Sequence, residues 1–190
     1  HAPIDTIEPK ITEKDLKLID TEVASFSTNY ATSNENRATN VALATNSING
    51  TLVMPGDLFS FNKVVGKRTA EKGYKEAHVI VGDDLVEGIG GGICQVSTTL
   101  YNAILRSDIN ATERVHHTLP SGYIPLGEDA TVDWGTIDYQ FKNTLKYPIY
   151  IQGYVKNRNV HFNIYSNHAL SEKKYLIKND IYEVLKPKVT

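Results

Sequence analysis

Hydrophobic positions along this chain fall on two different periods. Between residues 34 and 50, Ala38, Val41, Ala42, Thr45 and Ile48 follow helical spacing. Asn34 stands where an N-cap belongs, and Gly50, after Asn49, stands where a helix ends in the left-handed conformation. The spacing predicts a helix of about four turns with a small-residue face suited to close packing on a sheet. A second helix follows Cys94, where Val96, Leu100, Ala103 and Ile104 recur at i, i+4, i+7 and i+8. Downstream the period changes to two. "IDYQF", "PIYIQGYV" and "VHFNIYS" alternate, and the last two are joined by the polar turn "KNRN". Upstream, "AHVIVGDDLVEG" reads as two short strands about a Gly-Asp-Asp turn, and "LVMPGDLFSFNKVVG" as an extended stretch around Pro-Gly. "TEKDLKLID" reads as a short helix ahead of the strand "EVASFST". "ATERVHHT" reads as a strand leading into a loop with Pro120, Gly122, Pro125 and Gly127.

Strands outnumber helices and few βαβ units are visible. The fold class is therefore α+β, an antiparallel sheet with two helices packed against it. Residues 1–20, with two prolines near the start, read as a linker or N-terminal extension. Residues 21–166 read as one domain, and 167–190 as a C-terminal extension leading to a further module or the chain end. Both ends have the look of a piece cut from a longer protein.

Composition narrows the function classes. The 190 residues suffice for one real core. The formal charge is −2 with basic residues scattered, so no electrostatic footprint for nucleic acid is present. No apolar run reaches the roughly 18 residues of a membrane span. A single cysteine excludes an internal disulfide framework and a multi-cysteine metal site, and no other metal-ligand set or cofactor motif is apparent.

That cysteine sits in "GIGGGICQVSTTLYN", residues 88–102, where four glycines occupy five positions directly ahead of the second helix. A thiol at a helix N-terminus meets unpaired N–H groups and the positive end of the helix dipole, which favour thiolate and can lower its pKa into a range of roughly 3.5–7.5. Gly90, Gly91 and Gly92 would let a substrate approach the backbone and leave N–H groups for an oxyanion. The alternatives are a buried packing cysteine or a phosphate loop, and the Lys-Ser/Thr that a phosphate loop requires is missing after the glycines.

A thiol nucleophile needs a base. His116 and His117 end the "ATERVHHT" strand, and only one of two adjacent strand residues can face Cys94. Asp129, Asp133 and Asp138 follow, and spacing does not choose among them as the group that orients the histidine. Ser97 and Thr98 lie one turn past Cys94, placed either to touch substrate or to cap. Tyr101, Tyr123 and Trp134 are candidate walls of a groove. Arg114, three residues before His117, points to the opposite face of a strand, and either pairs at the surface or binds a carboxylate.

The segments "MPGDLFSFNKVVGKRTAEKGYKEAHVIVGDDLVEGIGGGICQVSTTLYNAIL" and "ERVHHTLPSGYIPLGEDATVDWGTIDYQFKN" resemble the VanW domain family over about residues 25–166. The ordered motifs are Pro-Gly-x-x-Phe-Ser-Phe-Asn, Gly-Gly-Gly-Ile-Cys-Gln-Val-Ser-Thr-Thr-Leu-Tyr-Asn and Pro-Leu-Gly-x-Asp-Ala-Thr-Val. The resemblance implies cell-wall work in Gram-positive bacteria, on the outer face of the membrane or in the wall, in a parent protein that is often membrane-anchored. Some members are L,D-transpeptidases that cross-link peptidoglycan through a cysteine, and the His-Gly-Cys motif of better-known cysteine transpeptidases is absent here. Carried over, the nucleophile falls on Cys94. The family's Asn-His-Ser or Pro-His-Ser corresponds to "HHT", which gives His117 the role of base, with His116 a departure from the pattern. Asp138 is then the expected orienter and Asp129 the alternative, while Asp133 lies in a variable stretch. Gly91, Gly92, Ser97, Thr98, Tyr123 and Arg114 complete the expected oxyanion and substrate contacts. The expected partner is a peptidoglycan stem peptide, with no cofactor and no metal. The alternatives are a stem-cutting cysteine peptidase and a non-catalytic wall-binding or resistance accessory module.

Overall fold

The computed structural model describes residues 11–81 and 84–180. A first helix, α1 (Glu13–Leu16), is closed by a Thr12–Asp15 capping box. It precedes β1 (Thr21–Asn29), and α2 (Glu35–Ile48) forms where the periodicity places it. The Asn34 side chain accepts the Arg37 amide at 2.9 Å, and Gly50 follows with φ of +85°. The buried face of α2 carries Val41, Ala44 and Ile48.

The alternating segments become β8 (Ile149–Lys156) and β9 (Asn159–Ser166), joined by Asn157 and Arg158, both with positive φ as a primed hairpin turn requires. They are the inner strands of an antiparallel sheet ordered β1-β9-β8-β2, with β2 spanning Thr51–Val53. Alternation sends Ile149, Ile151, Val160, Phe162 and Ile164 to one face, where all five are fully buried. Against this face lie α2 and α4 (Ile93–Leu105). A second sheet, ordered β3-β7-β6, comprises Leu58–Ser60, Gln140–Lys142 and Ala111–Glu113. A separate hairpin pairs β4 (Glu76–Val81) with β5 (Asp84–Ile89), and its turn lies outside the described residues.

The α+β, antiparallel expectation holds, with α1 where the sequence reads as a short helix, an additional helix, and the described strands divided among three sheets rather than one. In the stretch read as extended, α3 (Phe61–Val65) forms because the Ser60 hydroxyl accepts the Lys63 amide and Gly66, at φ of +75°, ends the turn. The expected strand over 111–118 is divided. β6 pairs with β7, and the chain then changes partner at Val115, which bridges to Thr131.

Helix α4 also differs from expectation. The sequence gives it one apolar face, whereas every residue from Gln95 to Ile104 is buried. Val96, Leu100, Ala103 and Ile104 are fully buried in the core, and Tyr101 meets Tyr139, the residue before β7, edge-on at 5.7 Å. The termini of the domain are clasped together: His168 meets Asp20 through both its amide and its ring, and the Asn167 amide donates to the Leu18 carbonyl. Residues 1–10 and 181–190 of the expected extensions lie outside the described residues.

Candidate functional site

The glycine loop is dictated by its own packing. A Cβ on Gly91 would lie 2.5 Å from the His78 carbonyl oxygen and 2.8 Å from Ala77 of β4. Gly92, the N-cap of α4, has φ of +102°, and a Cβ there would meet Arg37 Cγ at 2.9 Å and Val41 at 3.0 Å on α2. Asn40 fastens this junction. Its amide donates to the Lys75 and Gly91 carbonyls, and its oxygen accepts the Lys75 amide at 2.7 Å. At Gly91 and Gly92 the space that the missing Cβ atoms vacate is filled by β4 and α2, and at these two positions it therefore does not serve substrate approach as expected.

Cys94 is the second residue of α4 and is partly exposed. Its Sγ donates to the Val132 carbonyl at 3.4 Å. Burial of the sulfur pushes the thiol above its ordinary value of 9.0, and the Arg68 and Arg37 guanidiniums pull the other way without cancelling the rise. The helix terminus alone predicts a depressed thiol; desolvation outweighs it.

One extended segment, residues 128–132, runs along α4 and is held there by buried polar groups. The Ser97 hydroxyl donates to the Ala130 carbonyl at 2.6 Å, the Ala130 amide donates to Thr98 Oγ1 at 3.0 Å, and the Asn102 amide donates to the Glu128 carbonyl at 2.7 Å. Ser97 and Thr98, expected at the substrate, are fully buried and serve this attachment.

His117 lies on the other edge of the same segment. Its Nδ1 is 2.5 Å from Asp129 Oδ2, and its backbone amide donates to that oxygen at 2.6 Å. The imidazole is 6% exposed and the carboxylate 10%. A carboxylate facing Nδ1 selects the tautomer with the proton there and leaves Nε2 as the basic nitrogen. Burial would raise the Asp129 carboxyl, but the hydrogen bonds from His117 outweigh it and hold the group below its ordinary 3.8. Arg114 supports the same carboxylate. Its Nε donates to the Asp129 carbonyl at 2.7 Å, its Nη2 donates to the Gly127 carbonyl at 2.6 Å and stands 3.6 Å from Asp129 Oδ1, and its guanidinium lies over the Tyr101 ring. The expectation that Arg114 faces away from His117 fails because the chain leaves β6 at Glu113, before either residue, and the long side chain reaches back.

Asp138, the first choice as orienter, is spent elsewhere. It accepts from the Ser60 hydroxyl at 2.5 Å and from the Asn62 and Tyr139 amides at 2.9 and 2.8 Å, which ties β7 to the start of α3. Asp129 is the aspartate that meets His117. His116 turns its Nδ1 to the His117 carbonyl, Tyr101 is buried against Tyr139, and Trp134 is 45% exposed.

Two arginines that sequence reasoning passed over flank the thiol. Arg68 donates to Asn62 Oδ1 at 2.6 Å and leaves a buried Nη2 without a hydrogen-bond partner. Arg37 donates from Nη1 to Ser33 Oγ at 2.7 Å and to Gln95 Oε1 at 2.9 Å. It lines a groove of about 750 Å³ together with Ser33, Gln95, Gly122 and Tyr123. The Tyr123 hydroxyl is pushed up to about 12 by burial and by the neighbouring Cys94. No periodic or motif signal marks either arginine; only the close approach of Gly92 to α2 brings Arg37 to the site. The thiol on α4 and the carboxylate-oriented imidazole are linked through residues 128–132, by way of the Val132 carbonyl and Asp129, while the groove that Arg37 lines is bordered by Gln95, the neighbour of Cys94, rather than by Cys94 or His117.

The family model described as VanW like protein matches residues 36–165. Among curated proteins, the chain is 40% identical over 174 residues to the uncharacterized protein YoaR of Bacillus subtilis, an alignment covering 91% of this chain and 57% of that protein. It is 32% identical over 114 residues to the vancomycin B-type resistance protein VanW of Enterococcus faecalis, covering 57% of this chain and 42% of that protein. The chain thus spans about half the length of these curated relatives. No solved structure matches.

Proposed function

This chain belongs to the VanW-like protein family, and we propose from that premise that it is a cysteine acyltransferase of the cell wall, an L,D-transpeptidase that joins peptidoglycan stem peptides. The observation that carries the reading is the buried His117–Asp129 pair, 2.5 Å apart, whose aspartate lies on the same segment as the Val132 carbonyl that accepts from the Cys94 thiol. A histidine oriented in this way is the usual partner of a thiol nucleophile. A resistance protein among the relatives agrees with wall chemistry.

In the proposed reaction, His117 Nε2 takes the Cys94 proton as the sulfur bonds to the carbonyl carbon of the third stem residue. The Ile93 and Gln95 amides are given to the Gly90 and Gly92 carbonyls, so the developing oxyanion is met by the positive end of the α4 dipole rather than by these two amides. His117, now imidazolium with Asp129 beside it, gives its proton to the departing D-Ala amine as the C–N bond breaks. A thioester and free D-Ala result. The side-chain amine of a second stem then attacks the thioester, His117 accepts the amine's proton, and the thiol is restored as the 3→3 amide forms. Water in place of the amine would make the same chain a stem-cutting peptidase. Membrane anchorage of the parent protein and an extracytoplasmic location go with this reading.

The thiol held up by burial favours a second reading, a wall-binding or resistance accessory module in which Cys94 only packs. Intact-protein mass spectrometry with a disaccharide-tetrapeptide separates the two. An adduct equal to the donor minus D-Ala, absent from Cys94→Ala, is expected. Its absence, with no released D-Ala and no cross-linked dimer, would hand the function to the accessory module. An amine acceptor then decides between transfer and hydrolysis.

A further inference from the structure

Arg37 is a partly buried cation that lacks a carboxylate among the described residues. Arg106, Arg114 and Arg158 each stand within 4.0 Å of an acidic side chain, and Arg37 does not. Its Nη1 is held by two neutral oxygens, those of Ser33 and Gln95. Gln95 is itself fixed, donating to Thr28 Oγ1 and to the Asn29 carbonyl, so the guanidinium is oriented by a buried network rather than by solvent. The groups capable of negative charge that act on it are the Tyr123 hydroxyl and the Cys94 thiol, and neither is ionised near neutral pH. Desolvating a guanidinium with no counter-charge is costly, and a ligand carboxylate would remove that cost.

The position is also restrictive. Gly92, whose missing Cβ leaves room for Arg37, and Gln95, which accepts from it, bracket Cys94 in the chain. A peptide whose carbonyl is attacked at Cys94, and which ends one residue later, carries its terminal carboxylate within about one Cα step, 3.8 Å, of the reacting residue. A receptor for that carboxylate must stand close to the nucleophile and be reachable from a groove; Arg37 is hydrogen-bonded to Gln95, the residue that follows Cys94, and lines the groove that Gln95 and Tyr123 also border.

We propose that Arg37 is the specificity-determining residue of the site: it binds the free C-terminal carboxylate of the leaving D-amino acid and so selects stems that end one residue beyond the attacked carbonyl. The proposal rests on the acyltransferase reading. It excludes a donor with a further residue, which would carry its carboxylate out of reach and place a neutral peptide against the guanidinium.

The test compares acylation of the full chain by a tetrapeptide ending in D-Ala acid and by the same peptide ending in D-Ala amide. The comparison is made for the wild type, Arg37→Gln and Arg37→Lys, with thermal melts to confirm folding. The wild type should prefer the acid by about a hundredfold, the worth of a charge-assisted bidentate contact. Arg37→Gln should bring the ratio to within about threefold of unity, and Arg37→Lys should fall between, because a point charge lacks the fork. A purely structural role would slow both donors equally and leave the ratio intact. A wild type that accepts both donors equally, or an Arg37→Gln protein that keeps the acid preference, overturns Arg37 while leaving the acyltransferase in place. No acylation of the wild type by either donor overturns the acyltransferase reading, and this proposal with it.

Discussion

Replacing Asp129 by Asn withdraws one charge while nearly preserving shape, and so isolates what the carboxylate does for His117. In the native site Asp129 Oδ2 accepts both the His117 amide and the ring Nδ1, while Oδ1 stands 3.6 Å from Arg114 Nη2. With its carbonyl oxygen toward His117, an Asn keeps both hydrogen bonds but turns its NH2 donor toward the guanidinium. Flipped, it loses both bonds. Either arrangement costs about 1–3 kcal/mol, so the protein should melt lower yet remain folded. The larger effect is on the proton transfer. An imidazolium and a carboxylate with charge centres about 4 Å apart attract by roughly 4 kcal/mol at an effective dielectric near 20. Only the fraction gained as the proton arrives enters the barrier, so acylation should fall roughly a hundred- to thousandfold. Single-turnover acylation followed by intact mass, beside a melting curve, reads both quantities. A folded Asp129→Asn protein that acylates at the wild-type rate would refute the assignment of His117 and Asp129 as a working pair.

Three further outcomes follow from the same geometry. Gly91→Ala places a Cβ 2.5 Å from the His78 carbonyl oxygen, a backbone atom that cannot move aside cheaply, and should cost about 1–3 kcal/mol; an unchanged melting temperature would show that β4 is not fixed there. Because burial holds the Cys94 thiol above 9.0, alkylation by iodoacetamide should be slow at neutral pH and still climbing above pH 9, and a plateau below pH 8 would contradict the burial argument. The Asp129 carboxyl is held low when folded, so its contribution to stability is complete above the unfolded-chain value of about 3.9 and is lost as pH falls through the lower folded value. The gap in melting temperature between the wild type and Asp129→Asn should therefore be constant above about pH 5 and close only in stronger acid, and a gap that closes near neutral pH would reject this sign.

The parts of the fold that were legible are those with a strong period and clear punctuation. α2 carries both its N-cap and its terminal glycine, and β8 and β9 alternate on either side of a turn whose two residues take positive φ. α4 was legible as a helix but not in its depth. Gln95, Thr98, Thr99 and Asn102 look like a solvent face, and they are buried because each hydrogen-bonds another part of the chain or its own helix. Hydrophobic periodicity cannot distinguish a polar face that meets water from one that meets the backbone of a neighbouring segment. α3 was missed for a related reason. Its five residues are too few to show a period, and its start depends on Asp138, which lies far along the chain and binds both Ser60 and the Asn62 amide.

The choice between Asp129 and Asp138 shows where spacing stops and register begins. Both follow His117 at distances that a loop can span. What separates them is the antiparallel bridge between Val115 and Thr131. Two steps on from Val115 is His117, and two steps back from Thr131 is Asp129, so the bridge sets this pair opposite each other on one face. The Thr131 segment is in turn positioned by α4, through Ser97 and Thr98 at Ala130 and through Cys94 at Val132. The thiol helix therefore sets the register of the strand that aligns the histidine. The polar residues after Cys94 act on His117 through that strand rather than on a substrate. Exchanging Thr98 for a valine of similar shape would loosen Ala130 and disturb His117 without touching either reacting group.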